Sequence, residues 1–548
     1  MKLFSMNVRQ ARLAVSPPKS HLMQSSPGHV YYGFALGAAL AVAVLIGGCG
    51  DNYRPVVTPV TASGPESQPG SYVIVVSAPS PSSPGIVTIV DYSGDSIMTE
   101  APIGPGPRVF TIDEIGATGY TVNSDGTLSD FPLSASLQAK YVATSTLPPT
   151  AMPVNLMAPS AGLWVTDLNG NVVDLFSGSP EAFKLAIPVT TEGNPATMPV
   201  MIAGSPTLTG EREFVISQNQ PDTPAGQIAC NLSPRTAPAG VVTPIEISSN
   251  TTDPAIPAGK CPVFAVQSSD LRRFFVLNRG DDTITVINSQ NDSLDMGCPP
   301  PTGCTNQNGQ TYFTHPLLPL STSAVSATGV TPPNGTAGMT AIAGPIYAEY
   351  NQATQQLVIA NYDGGTISVI DVSLDEYGND SSTFGTTFTI PVGNTAAPNP
   401  AAVTVLYDGS KAYTANQNDD SGTGNGTVTV VNLSTHTVEK TITVVGHPRM
   451  VASTQNSEFS KIYTASPDSP YITIIQSTPT VTDIVDTTVL IEGNVVDLRV
   501  TTQNGGSSGI VNHSSRVPGY GQPCNLSPAT MVADYGPNYT LADCQTLP

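Results

Sequence analysis

Residues 412–432 read AYTANQNDDSGTGNGTVTVVN: a short β-rich run ending in Asn416, a polar turn, then a Thr/Val run ending in Asn432. The same grammar returns at Phe274 to Asn288 (FFVLNRGDDTITVIN), Leu357 to Asp371 (LVIANYDGGTISVID) and Ile462 to Ile475 (IYTASPDSPYITII). Looser copies begin at Tyr72, Tyr120, Leu163 and Phe214, which makes eight between residues 72 and 475. Self-similarity at a period near ~40–50 residues is the mark of a blade repeat. One four-stranded blade cannot bury both of its faces alone, whereas a closed ring of blades does. The expectation is an all-β fold, a β-propeller of four-stranded blades, with eight counted and seven if one weak N-terminal copy is an insertion.

Composition points the same way. Gly (49) and Pro (51) are abundant, charged residues make up only 11%, and no long stretch spaces its apolar residues for a helix. Trp164 is the single tryptophan. That excludes the tryptophan-aspartate repeat and blades docked by repeated tryptophans. The net charge of −21 repels a phosphate backbone, so nucleic acid is not an expected partner.

The N-terminus reads as an export signal. Four basic residues (Lys2, Arg9, Arg12, Lys19) precede an apolar run from Phe34 to Ile46, then Gly47, Gly48 and Cys49. The run is short for a membrane span, which disfavours the alternative of an uncut signal anchor. Leu45 to Cys49 resembles a bacterial lipobox, which implies cleavage before an acylated Cys49. Gly50 in place of Asp then implies outer-membrane placement in a cell that has one. The domain reading is therefore signal peptide 1–48, a Pro-rich tether 49–70, the propeller 71–503 and a C-terminal tail 504–548. Six further cysteines, an even number in an exported chain, read as disulfides. Of the fifteen pairings, the sequential one is simplest: Cys230 with Cys261, Cys298 with Cys304, Cys524 with Cys544. None has a histidine at zinc-ligand spacing, and no Cys-x-x-Cys-His haem motif occurs.

In residues 388–432 the full unit is FTIPVG, a Pro-containing turn, AAVTVLY, Asp408-Gly409, KAYTAN, a loop and GTVTVVN. It resembles the repeat of the YVTN family of β-propellers, through Tyr413 to Asn416 with Thr427 to Asn432, Val358 to Asn361 with Thr366 to Asp371, and Phe275 to Asn278 with Thr283 to Asn288. The resemblance implies that the first strand of each blade lines a central channel. After Ile475 come a fourth-strand candidate, Thr488 to Ile491, and an inner-strand candidate, Val495 to Thr502, with no partner following. Tyr72 to Val76 is the available partner, so the two ends of the chain are expected to close the ring.

The turns that follow the Asn-ended strands, and the turns that lead into the inner strands, share one face, here called the top. Asp125, Asp167, Asp222, Asp281, Asp282, Asp363, Asp419, Asp420 and Asp468 fall on it. Such a rim concentrates cations and offers the oxygen ligands that structural calcium takes. The plainer reading is that these residues make turn bonds beside Gly. Segments 231–265 and 289–345 read as insertions after third strands, projecting from the opposite face. For chemistry, His447 and Arg449 in a top turn are the candidates for general base and oxyanion stabiliser. Lactonase-like hydrolases are among the propellers similar to this family. His315, His436 and His513 show no evident partner. No Gly-x-Ser-x-Gly elbow and no phosphate loop occur. The preferred reading is a monomeric, lipid-anchored module of the cell envelope that binds a protein, glycan or small ligand and carries no cofactor, with a hydrolase as the alternative.

Overall fold

β-Branched residues alternating with Gly, Pro, Asn and Asp turns produce antiparallel sheets throughout the described residues. A computed structural model describes residues 72–501, apart from 81, 114–115, 135–136, 160–161, 191–196, 205–211, 220–229, 231–236, 321–342, 421, 455–459 and 478–482. The expected lipobox cysteine Cys49, the stretch read as a tether and the C-terminal residues with Cys524 and Cys544 lie outside the described residues. Eight four-stranded blades form a β-propeller. Blade 7 is representative: innermost strand Pro400–Val405, second Lys411–Asn416, third Thr427–Asn432, outermost Thr437–Thr443. The second strands of the eight blades fall on the eight repeats read from sequence, from Tyr72–Ala78 in blade 1 to Lys461–Ala465 in blade 8.

Innermost strands of neighbouring blades touch one another all the way round. The ring is closed by the two ends of the described chain. Asn494–Val500 is the innermost strand of blade 1 and pairs with Tyr72–Ala78. Thr501 extends the seam, since its N–H donates to Tyr72 O at 2.9 Å and its hydroxyl accepts the Tyr72 N–H at 2.6 Å. Tyr92 Oη adds a bond to Thr501 O at 2.6 Å.

Aliphatic side chains fill the gaps between blades. Val358, Ala360, Ile367 and Val369 of blade 6 meet Val403, Val405, Ala412 and Val431 in the gap to blade 7, and all but Val405 are wholly buried. Each valine or isoleucine among them contributes about 1.5–3 kcal/mol. Trp164 of blade 3 packs on Ile202, Val215 and Ile245 of blade 4.

A polar clasp recurs at the top of the blades. Asn416 Nδ2 donates to Thr427 Oγ1 at 3.0 Å and to Thr429 Oγ1 at 2.8 Å. Asn123, Asn278 and Asn361 do the same with Thr127 and Ser129, Thr283 and Thr285, and Thr366 and Ser368. In three of these pairs the inner hydroxyl also accepts a glycine N–H from the chain about to enter the innermost strand: Gly104 to Ser129, Gly259 to Thr285 and Gly393 to Thr429. A side chain cannot stand there: a Cβ on Gly104 would lie 2.1 Å from Asn123 Nδ2. Six innermost strands begin with a proline opposite the last residue of the second strand, and each has a register shift just after it. Proline fits because the first residue of an edge strand needs no ladder N–H.

One segment departs from expectation. Residues 231–265 do not follow a third strand; they contain it, because Ala239–Glu246 is the third strand of blade 4. It lacks the Asn-turn-Thr signature, and Pro244 has no N–H to offer a partner. The outermost strand accordingly splits into Thr251–Thr252 and Ile256–Lys260 on either side. Cys230, which precedes this strand, is bonded to Cys261 at the entry to the innermost strand of blade 5. In blade 5 the outermost strand is also divided, into Ser293–Leu294 and Leu317–Pro319, with the Cys298–Cys304 disulfide between them.

Replacing Asn416 with Ala removes three buried hydrogen bonds, two donated to Thr427 and Thr429 and one accepted from Thr414, and is expected to lower stability by about 3 kcal/mol. Urea unfolding measures it, and a change under about 0.5 kcal/mol would show that the clasp is dispensable.

Candidate functional site

The turn Gly446-His447-Pro448 leads into the innermost strand of blade 8, Met450–Ser453. Gly446 has φ +71°, and a Cβ there would sit 2.8 Å from Ser469 Cβ, so the turn presses directly on the next top turn. That places His447 between two carboxylates. Its backbone N–H donates to Asp468 Oδ1 at 3.0 Å, and Nδ1 lies 2.5 Å from Asp468 Oδ2. Nε2 faces Asp420 Oδ2 at 3.6 Å.

Asp420 comes from the Gly- and Asp-rich loop between the second and third strands of blade 7. Its carboxylate accepts the backbone N–H groups of Gly422, Thr423 and Gly424. Burial alone would raise its pKa, but these donors outweigh it and hold the carboxyl below the ordinary range. The His447 imidazole is pushed the other way, first by the hydrogen bond to Asp468 and further by the charge of Asp420, against the opposing effect of burial. The imidazole thus lies between two carboxylates, an arrangement that favours its protonated form. Arg449 is tied through its backbone, whose N–H donates to Ala465 O at 3.1 Å. The polar partners of the imidazole are the two carboxylates.

The other rim residues are engaged in the same way. Asp419 accepts the N–H groups of Asn394 and Thr395 and the Thr427 hydroxyl. Asp281 accepts the Lys260 N–H, Asp282 the Gly344 N–H, Asp167 the Met152 N–H and Asp125 the Thr127 N–H. Asp363 forms a two-point pair with Arg279, at 3.0 and 2.8 Å, which links blade 6 to blade 5 across the top. Asp222 lies outside the described residues. The turn-bond reading thus accounts for the described rim, with one amendment: most of these bonds run to the turn before the innermost strand, a partner distant in sequence. Among the described residues, no three His, Cys, Asp or Glu side chains converge as for a metal ion.

Two histidines that show no partner in the sequence have one in the structure. His315 Nδ1 lies 2.8 Å from Asp380 Oδ2, and its ring stacks on Phe384. Asp380 also binds Arg273 at 2.9 Å, and Arg273 reaches Asp295 at 3.0 Å, so the blade 5 insertion is anchored on a buried ionic cluster. His436 stacks on Phe388 of blade 6, with ring centroids 3.6 Å apart. His513 lies outside the described residues. The contacts of His315 and His436 cross between blades, and only the repeat count, not any local motif, signalled which blades are neighbours.

No protein-family description matches the chain, and neither does any curated protein. Solved structures do match. The dihydro-heme d1 dehydrogenase NirN, in complex with DHE, aligns at 12% identity with a TM-score of 0.50, covering 81% of this chain and 78% of that one. Apo AztD from Citrobacter koseri aligns at 11% identity over 79% of this chain and 98% of its own, with a TM-score of 0.48. A putative 6-phosphogluconolactonase from Bacteroides fragilis aligns at 13% identity over 80% and 99%, with a TM-score of 0.44. These neighbours are β-propellers, and at such identities the likeness concerns the fold alone.

The His447 clamp gives a pH dependence whose sign is fixed. Because the folded pKa is raised, its stabilisation is complete below about pH 6.5 and is lost as pH rises through the raised value. The difference in melting temperature between wild type and His447→Asn should therefore be largest near about pH 5.5 and shrink toward about pH 9. A gap that widens with pH would contradict the clamp.

Proposed function

We propose that the chain is an exported, lipid-anchored propeller of the YVTN-repeat type that acts as a binding or scaffold module for a protein, glycan or small ligand at the cell envelope. The observation that carries this reading is the engagement of both ring nitrogens of His447 by carboxylates. A general base needs one neutral, accessible nitrogen near the pH of reaction. An imidazole with a carboxylate at each ring nitrogen presents neither nitrogen to a substrate and serves as a structural tie. The rim carboxylates are spent on turns in the same manner, which leaves the disulfide-bearing insertions of blades 4 and 5 as the surfaces with sequence to spare for recognition. The basic N-terminus, the apolar run ending at Ile46 and the lipobox-like Leu45 to Cys49 support the anchor. Removal of the first 48 residues, which hold four basic and no acidic side chains, makes the mature chain still more acidic and favours cationic or neutral ligands.

Two measurements test the reading. Labelled palmitate should enter the wild type and not Cys49→Ala, and the variant should move from the membrane to the soluble fraction. The mature protein should bind an immobilised envelope glycan or protein saturably while turning over none of a panel of sugar lactones. Lactone hydrolysis that is lost in His447→Asn would overturn the binding reading in favour of a hydrolase.

A further inference from the structure

Two seams at the bottom of the ring use one device. In blade 7 the second strand opens Lys411-Ala412-Tyr413. Lys411 Nζ lies 2.6 Å from Asp483 Oδ2 of blade 8, and Tyr413 Oη donates to Asp483 Oδ1 at 2.6 Å. In blade 8 the strand opens Lys461-Ile462-Tyr463. Lys461 Nζ lies 2.6 Å from Asp95 Oδ2 of blade 1, and Tyr463 Oη donates to Asp95 Oδ1 at 3.1 Å. An ammonium and a phenol from one blade thus hold a carboxylate of the next.

Blade 2 opens its second strand with Thr118-Gly119-Tyr120 in the same register. Thr118, Lys411 and Lys461 each pair with the last residue of the third strand, respectively Pro132, Asn432 and Gln476. Here the tyrosine is kept and the lysine is missing. The acid is kept too, because Glu181 begins the outermost strand of blade 3, and a second acid is added. Asp130 stands opposite Tyr120, where the equivalent residues are Val430 and Ile474. The Asp130 carboxyl accepts the backbone N–H of Glu181, which brings the two acids together across the gap. Glu181 is more than nine-tenths buried, yet its Oε2 has no hydrogen-bond partner, and neither has the buried Asp130 Oδ1.

The surroundings do not supply the missing ammonium at these oxygens. Asp113, in the turn before the second strand of blade 2, adds a third negative group, felt by Tyr120. Lys184, on the strand of Glu181 itself, partly offsets the charge. The outermost strand of blade 2 offers Ser145, whose hydroxyl is spent on the Glu181 carbonyl. Burial, then the charge of Asp130, raises the Glu181 carboxyl to about 7. Burial also raises Asp130.

We propose that the gap between blades 2 and 3 is a cation site, in which a free divalent cation of the calcium type, held by Asp130 and Glu181, takes the place of the lysine ammonium that closes the seams from blade 7 to 8 and from blade 8 to 1. Two carboxylates from different blades match the charge of such an ion, and an all-oxygen donor set matches its hardness. Calcium accepts irregular geometry and completes its shell with backbone oxygens and water. Protons compete for the same oxygens, so the ion binds more tightly as pH rises through the raised carboxyl values.

The test is a calorimetric titration of the chelator-stripped mature protein with calcium chloride near about pH 8, paired with thermal unfolding. One saturable site is expected, with a melting temperature raised by about 2 °C or more at saturation. Glu181→Gln, which is isosteric, should weaken binding about tenfold or more. Thr118→Lys restores the lysine of the other seams; it should raise the melting temperature in chelator and abolish the calcium response. The proposal is overturned by absence of saturable binding in the wild type, or by a calcium response that survives both substitutions. Equal stabilisation by ammonium or potassium chloride alone would overturn the assignment to a divalent ion.

Discussion

The buried asparagine at the end of the second strand is the constraint on which the ring depends. Asn123, Asn278, Asn361 and Asn416 are almost or wholly inaccessible to solvent. A buried carboxamide left without partners costs about 1–3 kcal/mol, whereas a satisfied one makes a net contribution of about 1 kcal/mol per bond. The requirement selects what must surround it. Hydroxyls are needed at the first and third positions of the third strand, and glycine is needed where the chain approaches the innermost strand. Three strands and the entry to the blade are thereby tied at one point. Asp167 shows how the tie survives substitution, since its carboxylate collects the N–H groups of Met152, Asn169 and Gly170 instead. In blade 8, Ser466 holds the same region through the carbonyl of Val445.

At the opposite face the ring is held by charge. The chain has only 20 Lys and Arg against 41 Asp and Glu, and it places several of the cations where blades meet. Arg212, Arg273, Lys411 and Lys461 occupy the first position of four second strands, and each reaches an acid of the following blade: Asp292, Asp380, Asp483 and Asp95. The last pair spans the seam between the two ends of the chain. Where both partners are buried, removing one leaves an unpaired charge, which is worse than having neither. The ends of the ring are therefore locked by a few specific pairs added to a non-specific aliphatic filling.

What sequence could reveal followed from what repeats. Strand alternation, Asn-ended second strands and Thr-Val third strands are local patterns, so the eight blades and the closing pair Tyr72–Ala78 with Asn494–Val500 were legible. The third strand of blade 4 was not, because its core sequence AGVVTPIE fits the burial requirement without the clasp residues that flag the other blades. The disulfides Cys230–Cys261 and Cys298–Cys304 followed from proximity in a loop-rich sequence. By contrast, the partner of His447 at Nε2 comes from the preceding blade, and the partners of His315 and His436 likewise come from neighbouring blades. Side chains that meet across an interblade gap are separated by a repeat length or more, and pairing there depends on registers that only the assembled ring defines.

The same geometry explains why the described rim carboxylates are engaged within the scaffold. Asp167, Asp281, Asp419 and Asp468 each sit where two top turns approach, and backbone N–H groups are the donors they meet there. A carboxylate in that position closes the turn before the innermost strand, as Asp419 does for Asn394 and Thr395. Its charge still contributes to the field above the channel mouth, but its lone pairs are directed inward. The inserted segment of blade 5 is not needed for that closure, and the ring fixes where it is attached.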